Sequence, residues 1–553
     1  MSSLTTTTTA LVARFLPTLL ARRARVLALL ATVTFLATTI SRRLYRFLVP
    51  PSHLRHLPHA PVLAYLRAHR RRAPYLVAKP AMMQLMREDA NRRGIKAPRM
   101  FLTWLLGIWT VNLIDPEDVK AVYTRTEVWD KYVLVGGVGF VGRFFGRNVV
   151  SAPMADWKHH RKVVNPAFRR GWATSLFGGP ARHLVAELDR FADRDEAIDP
   201  ADWMARVTLD ALSLAAFGHN LDSIRHPEGD MVATYHAIMK DIVNTRDLLN
   251  PFYMWTRKAK EMGRLVDRFN AFVFELIDTK TAQLQGRDGG EEGDDDRRDL
   301  LEMMVEAAQG SKDFSREDLR ANTVIFFLAG HDTTANELCM ALYLMGMHRD
   351  VQSKARADVI RVLGKDAARR AAECDAAEMI YPTPDQDRAL TYLNFVIMET
   401  MRLFPSVAKL PRRVTTAPVT LADGTALPKG TLVTIDTFSM HRDPAIWGPD
   451  ADKFVPDRWA ARADADGAIA MHPTAHNYEW APFGGGQRIC LGMQFSLVEQ
   501  RVILAMMLLR YEWEVVGNTN ALRGVPDLAP NDLLRSTGIE LRLRRRRVEG
   551  FVE

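Results

Sequence analysis

Only three cysteines occur in 553 residues, Cys339, Cys374 and Cys490, and they lie far apart. That excludes a disulfide framework and a CxxC metal site, and makes a reducing compartment the simpler setting for the body of the chain. Acid is missing from the N-terminal arm: the first acidic residue is Glu88, after 14 Lys and Arg. Those residues contribute +14 to a formal net charge of +9, so the rest of the chain carries −5. The basic excess therefore belongs to the arm, which suits a membrane surface. Zinc-finger spacing, a basic helix leading into heptads and a basic–aromatic stripe are all absent, so the chain does not read as a nucleic-acid binder. Internal repeats are absent too. A length of 553 residues with 47% hydrophobic content is ample for a large core.

Uncharged runs are scarce as well. One, from Val26 to Ile40, is fenced by Arg22, Arg23 and Arg25 before it and Arg42, Arg43 and Arg46 after it. It falls a little short of the ~20 residues that span a bilayer, but flanking arginines can snorkel and extend it. Residues 1–49 therefore read as an N-terminal membrane anchor with basic flanks. A cleaved signal peptide fits poorly, because arginines rather than small residues follow the apolar run. A mitochondrial transit peptide shares the arm's composition but not its uncharged stretch, and is the weaker reading. Similar arginine counts on both flanks leave the orientation open. Pro50, Pro51, Pro58 and Pro61 then form a semi-rigid connection.

From there to about Leu284 the pattern is mainly that of amphipathic helices. Residues 285–299 form an acidic, low-complexity surface loop. A long helix is expected from Ser315 to His348, opened by an N-cap serine and acids in the first turn. Another carries Asn394 to Phe404 and stops at Pro405. Arg413 to Phe438 alternates and holds the hairpin signal Ala422-Asp423-Gly424. Arg544 to Arg547 read as a solvated tail.

Cys490 sits in Phe483-Gly484-Gly485-Gly486-Gln487-Arg488-Ile489-Cys490-Leu491-Gly492, ahead of an apolar helical stretch from about Leu491 to Leu509. Glycines let backbone approach a flat cofactor closely. The positive end of the following helix is expected to lower the thiol pKa. One soft sulfur with no partner ligand nearby cannot close a zinc site, but it can be the single axial ligand of a haem iron.

Phe483, Gly486, Arg488, Cys490 and Gly492 together resemble the haem-binding loop of the cytochrome P-450 superfamily of haem-thiolate monooxygenases. Three further motifs follow the family's order. Ala329-Gly330-His331-Asp332-Thr333-Thr334, in the long helix, is similar to the oxygen-activation motif. There Gly330 weakens the helix and Thr333 can bond back to a carbonyl and open the ladder. By resemblance, Thr333 would hydrogen-bond activated dioxygen and Asp332 would feed protons for O–O cleavage; His331 falls at a variable position without a role. Glu399-Thr400-Met401-Arg402 puts a carboxylate and a guanidinium on one helical face. Its apolar context predicts burial, and the resemblance adds Arg458, from Phe454-Val455-Pro456-Asp457-Arg458-Trp459, as the third member of a fold-locking triad. Asp457 and Trp459 stand where many members have Glu and Phe. Trp157 and Arg161 share a helical face, and the resemblance makes them propionate contacts along with Arg488 and an arginine after the Glu399 helix. Arg412 fits that last position by spacing, and the adjacent Arg413 could take the role. His159 and His160 read as surface residues.

The resemblance implies a mainly α-helical, triangular fold with a small β-rich subdomain over residues 50–553 and one haem b with Cys490 as axial thiolate. It implies insertion of one oxygen atom from dioxygen into a lipophilic substrate, with NADPH electrons from a membrane-bound diflavin reductase, cytochrome b5 being a further donor. It also implies a single-pass anchor in the endoplasmic reticulum membrane with the catalytic body cytosolic. No cysteine cluster is present and the chain ends some 60 residues beyond Cys490, so no fused flavin or iron–sulfur domain is expected. Two other readings compete with this one. A haem-thiolate isomerase or dehydratase acting on peroxides usually lacks the acid–threonine pair, which is intact here. A non-catalytic haem-thiolate ligand binder would not need that pair either. Substrate contacts are expected from about Tyr132 to Val150, Leu221 to Trp255, Phe326 and Phe327, and the strand after Pro405. These segments are apolar and aromatic, which suits a lipophilic ligand.

Overall fold

The computed structural model describes residues 27–71, 74–105, 107–132, 139–169, 171–242, 252–286, 298–310, 314–464, 468–517, 519–522, 524, 526–528 and 533–547. Most of the acidic loop, and parts of the expected recognition segments at 133–138 and 243–251, lie outside these residues.

Helices dominate. Those that position the site are α1 (Met154–Arg169), α2 (Pro200–Phe217), α3 (Asp230–Asp241), α4 (Arg316–Met347), α5 (Thr391–Leu403) and α6 (Met493–Arg510). The 32-residue α4 is the axis of the molecule, and α2, α5 and α6 pack around it. Its start follows from its sequence: Ser315 Oγ accepts from Asp318 N, and the Asp318 carboxylate accepts from Ser315 N, a reciprocal cap at 3.0 Å each. It is apolar on nearly every side, as a helix buried in a large core must be. The helix stays regular through Thr333, so the expected opening of its ladder is not seen. Gly330 has a packing reason instead. A Cβ there would come within 2.6 Å of Leu212 Cδ1 on α2, so glycine is what lets the two helices close together.

Among the strands are β1 (Met100–Leu105), β2 (Ile108–Leu113), β3 (Trp129–Lys131), β4 (Ala197–Ile198), β5 (Arg413–Thr415), β6 (Leu432–Ile435), β7 (Tyr511–Val516) and β8 (Glu540–Arg545). One five-stranded sheet runs β1-β2-β6-β5-β3, parallel only at β2–β6. Its smaller core holds Phe101, Leu102, Val111, Leu113, Val433 and Ile435. The β1–β2 hairpin corrects the reading of this region as mainly helical. Met-Phe-Leu-Thr-Trp-Leu and Ile-Trp-Thr-Val-Asn-Leu are rich in β-branched and aromatic residues, and Gly107 (φ 83°) turns between them. The hairpin expected at Ala422-Asp423-Gly424 is present, Val419 and Thr420 pairing with Leu427 and Ala426. A second sheet, β4-β8-β7, uses the C-terminal segment. Arg544 and Arg545 are therefore strand residues paired with Glu512 and Tyr511, not a solvated tail, because inward Leu541 and Leu543 alternate with them.

Residues 27–48 form an exposed helix, and Leu27–Leu54 is the one span among the described residues long and apolar enough to cross a membrane. Its end is fastened to the sheet. Trp104 Nε1 donates to Phe47 O at 2.7 Å, and the Phe47 and Trp104 rings meet edge to face.

Candidate active site

The cysteine loop is shaped by its own backbone. Cys490 N donates to Phe483 O at 2.9 Å, closing the loop on itself. Gly486 has φ 64°, and any Cβ there would collide with the Tyr123 carbonyl oxygen. Gly492 is the residue before α6, and its N–H points at the Cys490 sulfur. Cys490 is solvent-accessible although it lies deep among protein atoms, the setting of a side chain facing an internal opening. Burial pushes its thiol up, and this outweighs the Gly492 N–H and the Arg161 charge. The helix end alone thus does not hold a thiolate, which corrects the sequence expectation. A bound cation would, since metal coordination deprotonates a thiol outright.

Beside the loop stands a cluster of cations. β3 pairs with β5 so that Lys131 and Arg413 are directly opposite. Like charges in that register repel. Arg488 joins them: burial, then Arg413, pulls its guanidinium down to about 10. Burial, followed by Arg413 and Arg488, also takes the Lys131 amine well below its usual range. Asp130 is the one acid that offsets these shifts, and its Oδ1 lies 3.5 Å from Arg488 Nη2. Arg488 Nη1 donates to Ala152 O at 2.8 Å, while its Nε and Nη2 are buried without hydrogen-bond partners. The Arg488 guanidinium lies over the Trp157 ring, 4.7 Å from its centroid, and Arg161 Nη1 donates to Ile489 O at 3.2 Å. Of the two neighbouring arginines, Arg413 lies in β5 and acts on Arg488, and Arg412 is the half-buried residue just before that strand. Surplus buried positive charge with orphaned donors fits an anionic ligand, and a carboxylate-bearing haem supplies that charge.

On α4, between Leu319 and Gly346, only residues 328–330, Asp332, Thr333 and Asn336 are accessible. The turn that carries Asp332 and Thr333 thus opens onto space while the helix on either side is sealed. Thr333 Oγ1 donates to Ala329 O at 2.9 Å, leaving its lone pairs to accept. Thr334 Oγ1 donates to Ser496 Oγ at 2.9 Å, which ties this turn to the first turn of α6, just past Cys490. Near it Glu499 is fully buried, with its carboxyl pushed well above the usual range by burial. Glu337 is likewise buried and pushed up to about 8; its Oε1 accepts from Ser406 N at 2.7 Å. Ser406 Oγ in turn donates to Thr333 O at 2.7 Å, locking the segment after Pro405 to α4. Sequence reasoning missed Lys131, Glu337 and Glu499, whose significance lies in burial that no local pattern carries.

Glu399 and Arg402 are completely buried and bonded in parallel, Arg402 Nε to Oε2 and Nη2 to Oε1, both at 2.9 Å. Arg402 also donates to the carbonyls of His441, Ala451 and Lys453, so all five of its N–H donors are used. Glu399 accepts in addition from Arg458 Nε at 2.8 Å, Val455 N at 3.0 Å and Trp459 Nε1 at 3.0 Å. The departure at Trp459 therefore adds a hydrogen bond to the network. Other sequence expectations changed. His160 is buried, its Nδ1 2.8 Å from Asn322 Nδ2, not a surface residue. Phe327 stacks on Phe217 at 4.4 Å and Phe326 meets Phe168, so both serve the core.

Comparison with known proteins agrees with this geometry. The family model described as Cytochrome P-450 matches residues 86–526. Cytochrome P-450 734A4 of Oryza sativa subsp. japonica is 30% identical over 440 residues, 74% of this chain and 76% of that protein. Cytochrome P-450 4A10 of Mus musculus is 28% identical over 434 residues, 75% and 78% of the two chains. Cytochrome P-450 3A12 of Canis lupus familiaris is 27% identical over 423 residues, 74% and 77%. Similarity is thus spread evenly over differently numbered subfamilies. With a family model covering most of its length and a relative 30% identical over three quarters of it, the chain belongs to the cytochrome P-450 family.

Proposed function

We propose that this chain is a membrane-anchored monooxygenase that inserts one oxygen atom from dioxygen into a lipophilic organic substrate. Residues 1–49 serve as the anchor and residues 50–553 as the catalytic domain, on the cytosolic side of the endoplasmic reticulum. Electrons come from NADPH through a diflavin reductase, with cytochrome b5 as an auxiliary donor. The observation that carries this reading is the cluster of Lys131, Arg413 and Arg488 around a lone Asp130, next to a loop that presents one accessible sulfur.

Haem, when bound, supplies dioxygen activation, and an axial thiolate favours O–O cleavage. Cys490 holds the iron. Arg488, Arg412 or its neighbour Arg413, Lys131, Trp157 and Arg161 would hold the propionate side. Phe483, Gly486 and Gly492 give the loop its shape. Thr333, whose hydroxyl donates to Ala329 O, would accept a hydrogen bond from a group held in the opening beside α4. Asp332 delivers protons to that turn. Glu399, Arg402 and Arg458 hold the fold behind the loop without touching the chemistry.

The absorption spectrum of the dithionite-reduced protein with carbon monoxide tests the assignment. A red-shifted Soret band typical of thiolate-ligated haem is expected, and a band at the position of histidine-ligated haem would overturn it. Thr333→Ala should raise hydrogen peroxide released per NADPH consumed while haem content stays the same; unchanged coupling would remove Thr333 from its role. Deletion of residues 1–49 should move folded protein from the membrane pellet to the supernatant. Folded protein that stays in the pellet would indicate a second membrane contact.

A further inference from the structure

Three parts of the chain meet at Ser406, the residue after Pro405 on the way from α5 to β5, which is 6% exposed. Each of its polar groups is taken. Its N–H donates to Glu337 Oε1 at 2.7 Å and its hydroxyl to Thr333 O at 2.7 Å, both on α4. Its carbonyl accepts from Leu534 N at 2.9 Å, in the segment before β8. Beyond it the chain is extended: Val407 bridges Leu533 in antiparallel fashion, and Phe438 N donates to Ala408 O at 3.0 Å. Side chains alternate along such a stretch. Ser406 and Ala408 are buried, whereas Val407 and Lys409 are half-buried, so these two stand on the face away from the core. Because Ser406 is fastened to the Thr333 turn, that face forms a wall beside the opening.

Glu337 is the unexpected partner. It stands one turn after Thr333 on the same face of α4. Thr333 reaches the opening, but Glu337 is covered, and it alone among the acids of α4 is buried. Its Oε2 has no hydrogen-bond partner. A buried polar atom left unpaired costs stability that a leucine at the same place would not. Departures of that kind from local consistency collect at functional sites. With its carboxyl raised to about 8 by burial, Glu337 keeps its proton at neutral pH. Glutamine reproduces that state, with one oxygen for the Ser406 N–H and a hydrogen-bearing atom in place of the other. Leucine offers Ser406 nothing.

We propose that Glu337 is a positioning residue for the substrate: through Ser406 it fixes the wall of Val407 and Lys409 against the Thr333 turn, and so decides which position of a lipophilic substrate is presented for oxygenation. The proposal rests on the reading of this opening as the monooxygenase site. Glu337 acts from outside the opening and takes part in no bond-making step. Without its oxygen the Ser406 N–H loses its acceptor, and the turn after Pro405 is held to α4 by the hydroxyl bond to Thr333 O alone. The wall then shifts relative to Thr333, and a substrate lying against it shifts with it.

The test uses the haem-loaded full chain. Glu337→Leu should keep its haem content and bind imidazole as wild type does, because imidazole is too small to reach the wall. It should bind phenylimidazole several-fold more weakly, and its amides at 405–410 should exchange faster with deuterium. With its reductase and butylbenzene, which offers chain and ring positions, the ratio of products should shift several-fold. Turnover should fall about 10-fold, short of the ~10²-fold that a 1 Å misplacement can cost. Glu337→Gln should match wild type throughout, a rescue that depends on the acceptor oxygen. Wild-type exchange, phenylimidazole affinity and product ratio in Glu337→Leu would overturn the proposal. Equal impairment of Glu337→Gln and Glu337→Leu, with haem lost from both, would overturn it too, since the residue would then support the fold at large. Should Glu337→Leu not fold, Ser406→Ala decides. It loses the hydroxyl and should move exchange and product ratio in the same direction, and wild-type values there overturn the proposal. The ligand and exchange measurements need no turnover. A chain that shows those differences and oxygenates nothing would remove the monooxygenase reading while leaving Glu337 as the residue that sets the wall.

Discussion

Cys490→His yields a protein that takes up some haem and oxygenates nothing. Imidazole can ligate iron, so cofactor binding survives in part, helped by the cations around Arg488, which the substitution leaves in place. What is lost is the anionic sulfur that pushes electron density toward the oxygen. The carbon monoxide spectrum of the variant should move to the histidine-ligated position, and NADPH consumption should no longer give product. Retained oxygenation would sink Cys490 as the axial ligand. Cys490→Ser is the companion, expected to lose haem more completely because a neutral hydroxyl is a poor ligand.

Glu399→Gln attacks the molecule from the other side. It keeps size and removes charge, stranding Arg402, which is fully buried, and Arg458, whose side chain is 14% exposed. Breaking a buried pair by neutralising one partner costs ~3–5 kcal/mol. A protein with a total stability of ~5–15 kcal/mol tolerates that poorly. The yield of soluble, haem-loaded protein should collapse, with any remaining folded fraction inactivating at lower temperature. Arg458→Lys should be milder, since Val455 N and Trp459 Nε1 still serve the carboxylate. A Glu399→Gln protein as stable as wild type would mean the network is not what locks this region.

Much of this was legible in the chain. The start of α4 was readable because the cap and the first-turn acids are local, and α5 because Pro405 ends it. The cysteine loop was readable because what shapes it, the tight approach at Gly486 and the Cys490–Phe483 backbone bond, lies within a short stretch of chain. What stayed hidden depends on partners distant in sequence. β1 and β2 looked helical in a helix-rich half, and they find their sheet only through β6, more than 300 residues away. The C-terminal arginines looked like a tail until β7 was there to pair them. Arg413 opens β5 and Arg412 stands just before it, so that Arg413 lies opposite Lys131 is decided by the register with β3 and not by spacing.

The opposed Lys131 and Arg413, with Arg488 behind them, also bear on how much of this protein a cell can keep. Three basic groups around one carboxylate disfavour one another's charge, and a bound dicarboxylate would relieve that. A ligand that binds only the folded chain stabilises it by mass action, about 2.7 kcal/mol at a hundredfold excess over Kd. Shifts of about 1–2 kcal/mol already change steady-state abundance several-fold, because proteases clear the unfolded fraction continuously. Haem supply would then act as quality control: chains made in excess of it are degraded, and enzyme level follows cofactor level with no dedicated sensor.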